Sequence, residues 1–205
     1  GSYFEDKARD NEPLQRRQEV ADSYFWPPDE AMKEWQSHGP LFFIALSYAW
    51  AGPGHPDRHG TWLLQRIARL VTEWKKYSGM VDVAVFMDFC SLFQQPGRTS
   101  DQTRLFRLAL NTMDCIYAHK FTAVFKLLML PGDVELRAKD RGWPFFESCM
   151  ANAKESFEVY EFQEDFYPEM AVDFHFHLRG RLPAVIPQGF NGMLDSKTVT
   201  NKYDK

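Results

Sequence analysis

The sequence predicts an α/β protein, a three-layer sandwich whose central parallel sheet carries helices on both faces, with added segments at both ends. Three observations predict it. Apolar runs of strand length recur at 41–48, at 81–89 and at 121–130. A stretch of helical period follows each of the first two, and a helix start follows the third. Each run also stops at polar or aromatic residues, as strands do where an α/β sheet builds a site at its carboxyl edge. Such alternation marks right-handed βαβ units.

Residues 1–40 read as an N-terminal arm and entry segment. Residues 3–24 are charged and polar, with weak helical periodicity through Leu14, Val20 and Tyr24. Gly1-Ser2 resembles a remnant of cloning, so the chain is expected to be a segment of a longer protein. Trp26-Pro27-Pro28 is a break that places a short helix at 29–36, and His38-Gly39-Pro40 turns the chain into the first strand. That strand, Leu41 to Tyr48, is apolar on both faces, as a central parallel strand should be.

The α/β domain is expected over 41–190. After the loop Gly52-Pro53-Gly54-His55-Pro56, an amphipathic helix runs over about 61–77 and stops at Gly79. The second strand starts at Val81 or Val83 and ends at Phe89. Thr99 and Gln102 have capping-box spacing and open one helix that continues to about Ala118, with Leu105, Phe106, Ala109, Leu110, Met113, Ile116 and Tyr117 on its apolar stripe. The third strand is Phe121–Leu130, and a third helix starts near Pro144, placing Glu147 in its first turn. Beyond 155 the pattern weakens. Residues 157–162 alternate like a half-exposed strand, 172–178 alternate as well, and 182–186 form a short strand candidate. Residues 191–205 read as a flexible tail.

Composition narrows the function. At 205 residues the chain is long enough to bury one substantial core. A net charge of −4 and a pI near 5.9 argue against a nucleic-acid partner. No apolar stretch approaches a membrane span, so no membrane association is expected. The three cysteines have no metal-like spacing and read as buried thiols of a reducing, cytoplasmic compartment. Eighteen Phe suggest a thick core together with apolar surface for partners or ligands. Walker-type, G-x-S-x-G and G-x-G-x-x-G motifs are absent from the sequence.

Three motifs fall in order at the strand ends: Leu46-Ser47-Tyr48-Ala49-Trp50, Val85-Phe86-Met87-Asp88-Phe89-Cys90, and Arg141-Gly142-Trp143-Pro144-Phe145-Phe146-Glu147. This set resembles the HET (heterokaryon incompatibility) family, a distant branch of the TIR-like fold, over roughly residues 41–150. The resemblance implies a flavodoxin-like sheet with the first strand between the second and third. It further implies an NAD-consuming activity in signalling or cell death, with Glu147, four residues after Trp143, as the catalytic residue. Asp88 and Gln94 match the family's Asp and Gln. The family's Cys position is occupied by Ser91, with Cys90 one place early, and Ala51 separates Trp50 from Gly52. The chain is therefore identified as a divergent member.

The chemistry implied is cleavage of the nicotinamide–ribose bond of NAD, with NAD as substrate and no metal. A fixed carboxylate stabilises the ribosyl cation, holds ribose hydroxyls or acts as nucleophile. The nucleotide-binding candidates are Ser47, Tyr48, Trp50, His55, Asp88, Arg141 and Trp143. Trp50 and Trp143 would stack on a base, Ser47 and Tyr48 would donate to ribose or phosphate, and His55 would approach a phosphate. Each has a plainer reading: strand-end cap, loop residue or core aromatic, and for Glu147 a first-turn carboxylate favoured by the helix dipole. Asp173, His175 and His177 share one side of the expected strand, which is too few ligands for a metal site. A second class of function stays open, a non-catalytic TIR-like module that assembles with copies of itself or within a larger parent protein. A third is a nucleoside or nucleotide N-glycosidic enzyme.

Overall fold

The computed structural model describes residues 2–52, 54–57, 60–134, 140–154, 158–163, 172–179, 193 and 197. Its centre is an all-parallel sheet of four strands: β1 (Phe43–Tyr48), β2 (Ala84–Phe86), β3 (Ala123–Leu127) and β4 (Val159–Phe162), in the spatial order β2-β1-β3-β4. The first strand does lie between the second and third, and helices flank the sheet. The α/β class and the parallel order thus agree with the sequence expectation. The helices are α1 (Ser2–Arg9), α2 (Pro28–His38), α3 (Trp62–Ser78), α4 (Asp88–Ser91), α5 (Ser100–Leu110), α6 (Met113–Ala118), α7 (Gly142–Ala153) and α8 (Phe174–His177).

Alternate residues of each strand feed two cores. Ile44, Leu46 and Tyr48 join Phe125, Leu127, Tyr160 and Phe162 under α3, where Leu64, Ile67, Val71 and Trp74 are buried. Ala45, Val124 and Val159 face the other way, against Met113 and Tyr117 of α6 and Ala151 of α7. Burial on both faces explains why these strands read as continuous apolar runs. Trp74 is the hub of the larger core, with its ring edge-on to Phe125, Tyr160 and Phe174 and its Nε1 donating to the Leu41 carbonyl at 3.0 Å. Gly79, at φ 72°, supplies the left-handed residue that ends α3.

The N-terminal segment belongs to the larger core. Tyr3, Phe4, Leu14 and Val20 are buried in it, and Glu5 ties α1 to Thr72 and Lys75 of α3. On the other face, Trp35 of α2 stacks on Phe43 and donates to the Phe121 carbonyl.

Several elements differ from the sequence expectation. The helix expected from 101 to 118 is broken at Asn111-Thr112, because the Thr112 hydroxyl and amide turn back on Leu108 and Ala109. The capping box of Thr99 and Gln102 forms as expected. Strand β2 is only three residues long, since Asp88 opens the short α4 by accepting its neighbour Phe89's amide. Strand β4 is buried at Val159, Tyr160 and Phe162 rather than half exposed, and the chain at Leu178-Arg179 runs along its outer edge. Residues 174–177 form a helical turn instead of continuing an alternating strand. Asp173 caps it through the His175 amide, and only Phe174 reaches the core while Phe176 faces solvent. Asp173, His175 and His177 therefore share no strand face. The strand candidate at 182–186 and the tail, apart from residues 193 and 197, lie outside the described residues.

Candidate functional site

The carboxyl ends of β1 and β3 lie side by side, with Ser47 paired to Lys126 and Tyr48 to Leu127. The connection leaving β1 runs to α3 on one face and the connection leaving β3 runs to α7 on the other, so the ends of these adjacent strands form a switch point. Four polar groups converge there, Tyr48, Asp88, Tyr117 and Glu147, and the two phenols and the Glu147 carboxyl have shifted protonation.

Glu147 reaches this place from α7, one turn later than the sequence suggested. The helix starts at Gly142 with Arg141 as its N-cap, which puts Pro144 at the third position and Glu147 in the second turn. The helix dipole therefore does not account for the residue. Its side chain is 1% exposed and points at the sheet. Oε1 lies 2.7 Å from the Tyr117 hydroxyl, which is itself 2.9 Å from the Leu46 carbonyl. Oε2 is buried without a hydrogen-bond partner, and so is the indole Nε1 of Trp143. Burial pushes the Glu147 carboxyl well above the ordinary range and the negative charge of Asp88 adds to this, while Ser47, Tyr117 and Trp143 oppose it. Tyr117 is fully buried, and burial followed by the nearby carboxyls of Glu147 and Asp88 raises its phenol well above the ordinary value.

Asp88 approaches from the end of β2. Its carboxylate accepts the Tyr48 hydroxyl and the Phe89 amide, and burial followed by this neighbour raises the Tyr48 phenol well above its usual value. Gln94 donates to the carbonyls of Asp88 and Leu92, which accounts for the spacing of the second motif as a loop staple. The same Gln94 exchanges two hydrogen bonds with Gln18, fastening the N-terminal segment to this loop.

The other candidates fall into two groups. Ser47 is buried beside Glu147, and Trp143 stacks on Phe146 against the smaller core, so both share the Glu147 neighbourhood. Trp50 and His55 do not join them. Both rings stand edge-on to Phe89 under the opposite face. His55 accepts the Asp57 amide at Nδ1 and faces the Leu14 carbonyl through Nε2, so both nitrogens are engaged and the tautomer carries its proton on Nε2. Arg141 is buried at the entrance to α7, and burial lowers its pKa.

The sequence reading missed Tyr117 as a functional neighbour, because the residue sits on an apolar helical stripe. Its hydroxyl was the available signal, since a buried phenol needs a partner. Asp57 was also passed over. It is buried, and its Oδ2 accepts the amides of Leu63 and Leu64 at 2.8 and 3.0 Å, organising the start of α3.

Comparison with protein-family models, curated proteins and solved structures gives no match. A carboxyl held off water beside a tyrosine, a serine and an indole can stabilise a nearby cation once ionised, or donate a proton while neutral. The site is closed in this conformation. A hollow of about 200 Å³ lies elsewhere, against β2, between Tyr24, Phe25, Trp26, Phe43, Val85 and Phe86. Among the described residues no group of three or more His, Cys, Asp or Glu is placed to hold a metal, and no helix is long and apolar enough to cross a membrane.

Proposed function

We propose that this chain is a divergent TIR/HET-like domain of flavodoxin-like topology that consumes NAD by splitting its nicotinamide–ribose bond, with Glu147 as the catalytic carboxylate. The observation that carries the reading is the buried Glu147 carboxyl with its unpartnered Oε2 at the end of the central strand. A buried polar atom without a partner costs stability, and such groups are retained where a site needs them. The ribosyl cation formed as nicotinamide leaves is the charge such a carboxylate would stabilise. Ser47 and Trp143 would contact the nucleotide from the same side. For substrate to reach Oε2, the first turns of α7 must part from α6 and β1. The product is free ADP-ribose, a cyclised form or an exchanged base, and the setting is a cytoplasmic signalling protein.

The second reading is a non-catalytic module that self-associates, and two observations favour it. Glu147 is closed off, and α5 carries Leu105, Leu108 and Leu110 exposed with no buried residue along its length. Incubation of the purified chain with NAD, at dilute and at high protein concentration, separates the two. Nicotinamide release that disappears in Glu147→Gln supports the enzyme. A folded chain that assembles and leaves NAD intact supports the module.

A further inference from the structure

We propose that Glu147 is held as a neutral acid in the resting domain, and that Tyr117 is a positioning residue that turns its hydrogen bond from Leu46 to the carboxylate when a cationic ligand arrives. This rests on the NAD reading given above.

The geometry carries it by proton counting. The Tyr117 hydroxyl has one proton, yet it lies 2.9 Å from the Leu46 carbonyl and 2.7 Å from Glu147 Oε1. A carbonyl can only accept. If Glu147 were a carboxylate, one of these two contacts would bring acceptor against acceptor in a site closed to water. With Glu147 protonated, its O–H donates to the Tyr117 oxygen and Tyr117 donates to Leu46, so each contact holds one proton. The groups acting on the carboxyl point the same way. Asp88 brings a negative charge from the end of β2, and the Tyr48 hydroxyl from β1 is already given to Asp88. Ser47 of β1, Tyr117 of α6 and Trp143 of α7 are neutral dipoles that favour the anion without supplying a counter-charge.

A positive ring changes this balance. The pyridinium of NAD beside Oε2 favours the anion, the Glu147 proton leaves to solvent, and the phenol turns its O–H from Leu46 to Oε1. Cleavage then breaks the bond between ribose C1′ and the pyridinium nitrogen, and the electron pair stays with nicotinamide. A water oxygen bonds to C1′ and returns one proton to Glu147. The proton released on binding is the net proton of the hydrolysis, so the cycle balances without a further reagent.

The test is infrared difference spectroscopy of the whole chain with NAD, paired with the pH profile of kcat/KM. At neutral pH the wild type is expected to show a protonated-carboxyl stretching band that is missing in Glu147→Gln and bleaches when NAD is added. In Tyr117→Phe the anion loses a donor. The acid limb of kcat/KM should then move to higher pH, with activity about tenfold lower near neutrality and recovered in alkali, a shift that a purely structural role would not produce. Should Tyr117→Phe fail to fold, the wild-type and Glu147→Gln spectra still decide. NAD cleavage without a Glu147-dependent carboxyl band overturns the stored proton and leaves the NAD reading standing. A folded chain that neither binds nor splits NAD removes that reading and the release step with it.

Discussion

The phenol of Tyr117 joins the Glu147 carboxyl to the carbonyl of Leu46, linking α7, α6 and the central strand through one proton-bearing oxygen. The residue that resembles a catalytic carboxylate is thus also part of the packing between helix layer and sheet. Activity and stability can be separated there by experiment.

Glu147→Gln keeps the shape and removes the ionisation. A carboxyl raised by burial favours the native state fully below its unfolded pKa of about 4.3, and that advantage is lost as pH rises toward the folded value. The melting temperature of Glu147→Gln should accordingly match the wild type near pH 4 and exceed it increasingly as pH rises above the unfolded value toward the folded one. In the NAD assay the same substitution should lower kcat by about 10²–10³. A constant difference in melting temperature across that range would contradict the buried, neutral assignment.

Lys154 gives the opposite slope. Its ammonium is 2% exposed and donates to the carbonyls of Thr122 and Glu158, fastening the end of α7 to the starts of β3 and β4. Burial lowers its pKa from 10.5 to about 8. The penalty of keeping it charged is full below the folded value and is relieved as pH rises from about 8 to the unfolded value. Denaturant titrations of wild type and Lys154→Met should therefore diverge in favour of the wild type over that window, by a total on the order of 3 kcal/mol.

Asp57→Ala should destabilise the chain by about 1–3 kcal/mol, because two buried amides at the start of α3 lose their acceptor. Asp57→Asn, which retains a carbonyl oxygen, should recover most of this. Chemical denaturation reads both.

Trp74→Ala removes the hub of the larger core and should cost about 3–5 kcal/mol, more than any surface change. The loss should be seen as a lower denaturation midpoint with an unchanged slope.

If the chain assembles through α5, Leu105→Glu combined with Leu108→Glu should abolish the assembly. Stability should change by no more than about 0.5 kcal/mol, since α5 buries no side chain. Sedimentation at several concentrations measures the first and thermal melting the second.

The sequence alone determined the α/β class, while the strand order was an expectation from a resemblance until the sheet itself showed it. Continuous apolar strands such as Phe43–Tyr48 have to be covered on both faces, and the helical stripe from Leu63 to Trp74 has to cover one of them. The capping box at Thr99 and the stop at Gly79 were legible because they are local chemistry. What the tertiary structure decided depends on contacts far apart in the chain. Val172–Leu178 alternates like a strand, yet only Phe174 finds space beside Trp74, so the backbone turns helical there. Tyr117 reads as core until α7 places Glu147 over it, 30 positions away in sequence. The sequence could nominate a carboxyl near Trp143. Whether it meets water or a phenol was settled by how closely α7 packs on α6 and β1, a property of three surfaces fitting together that no local spacing encodes.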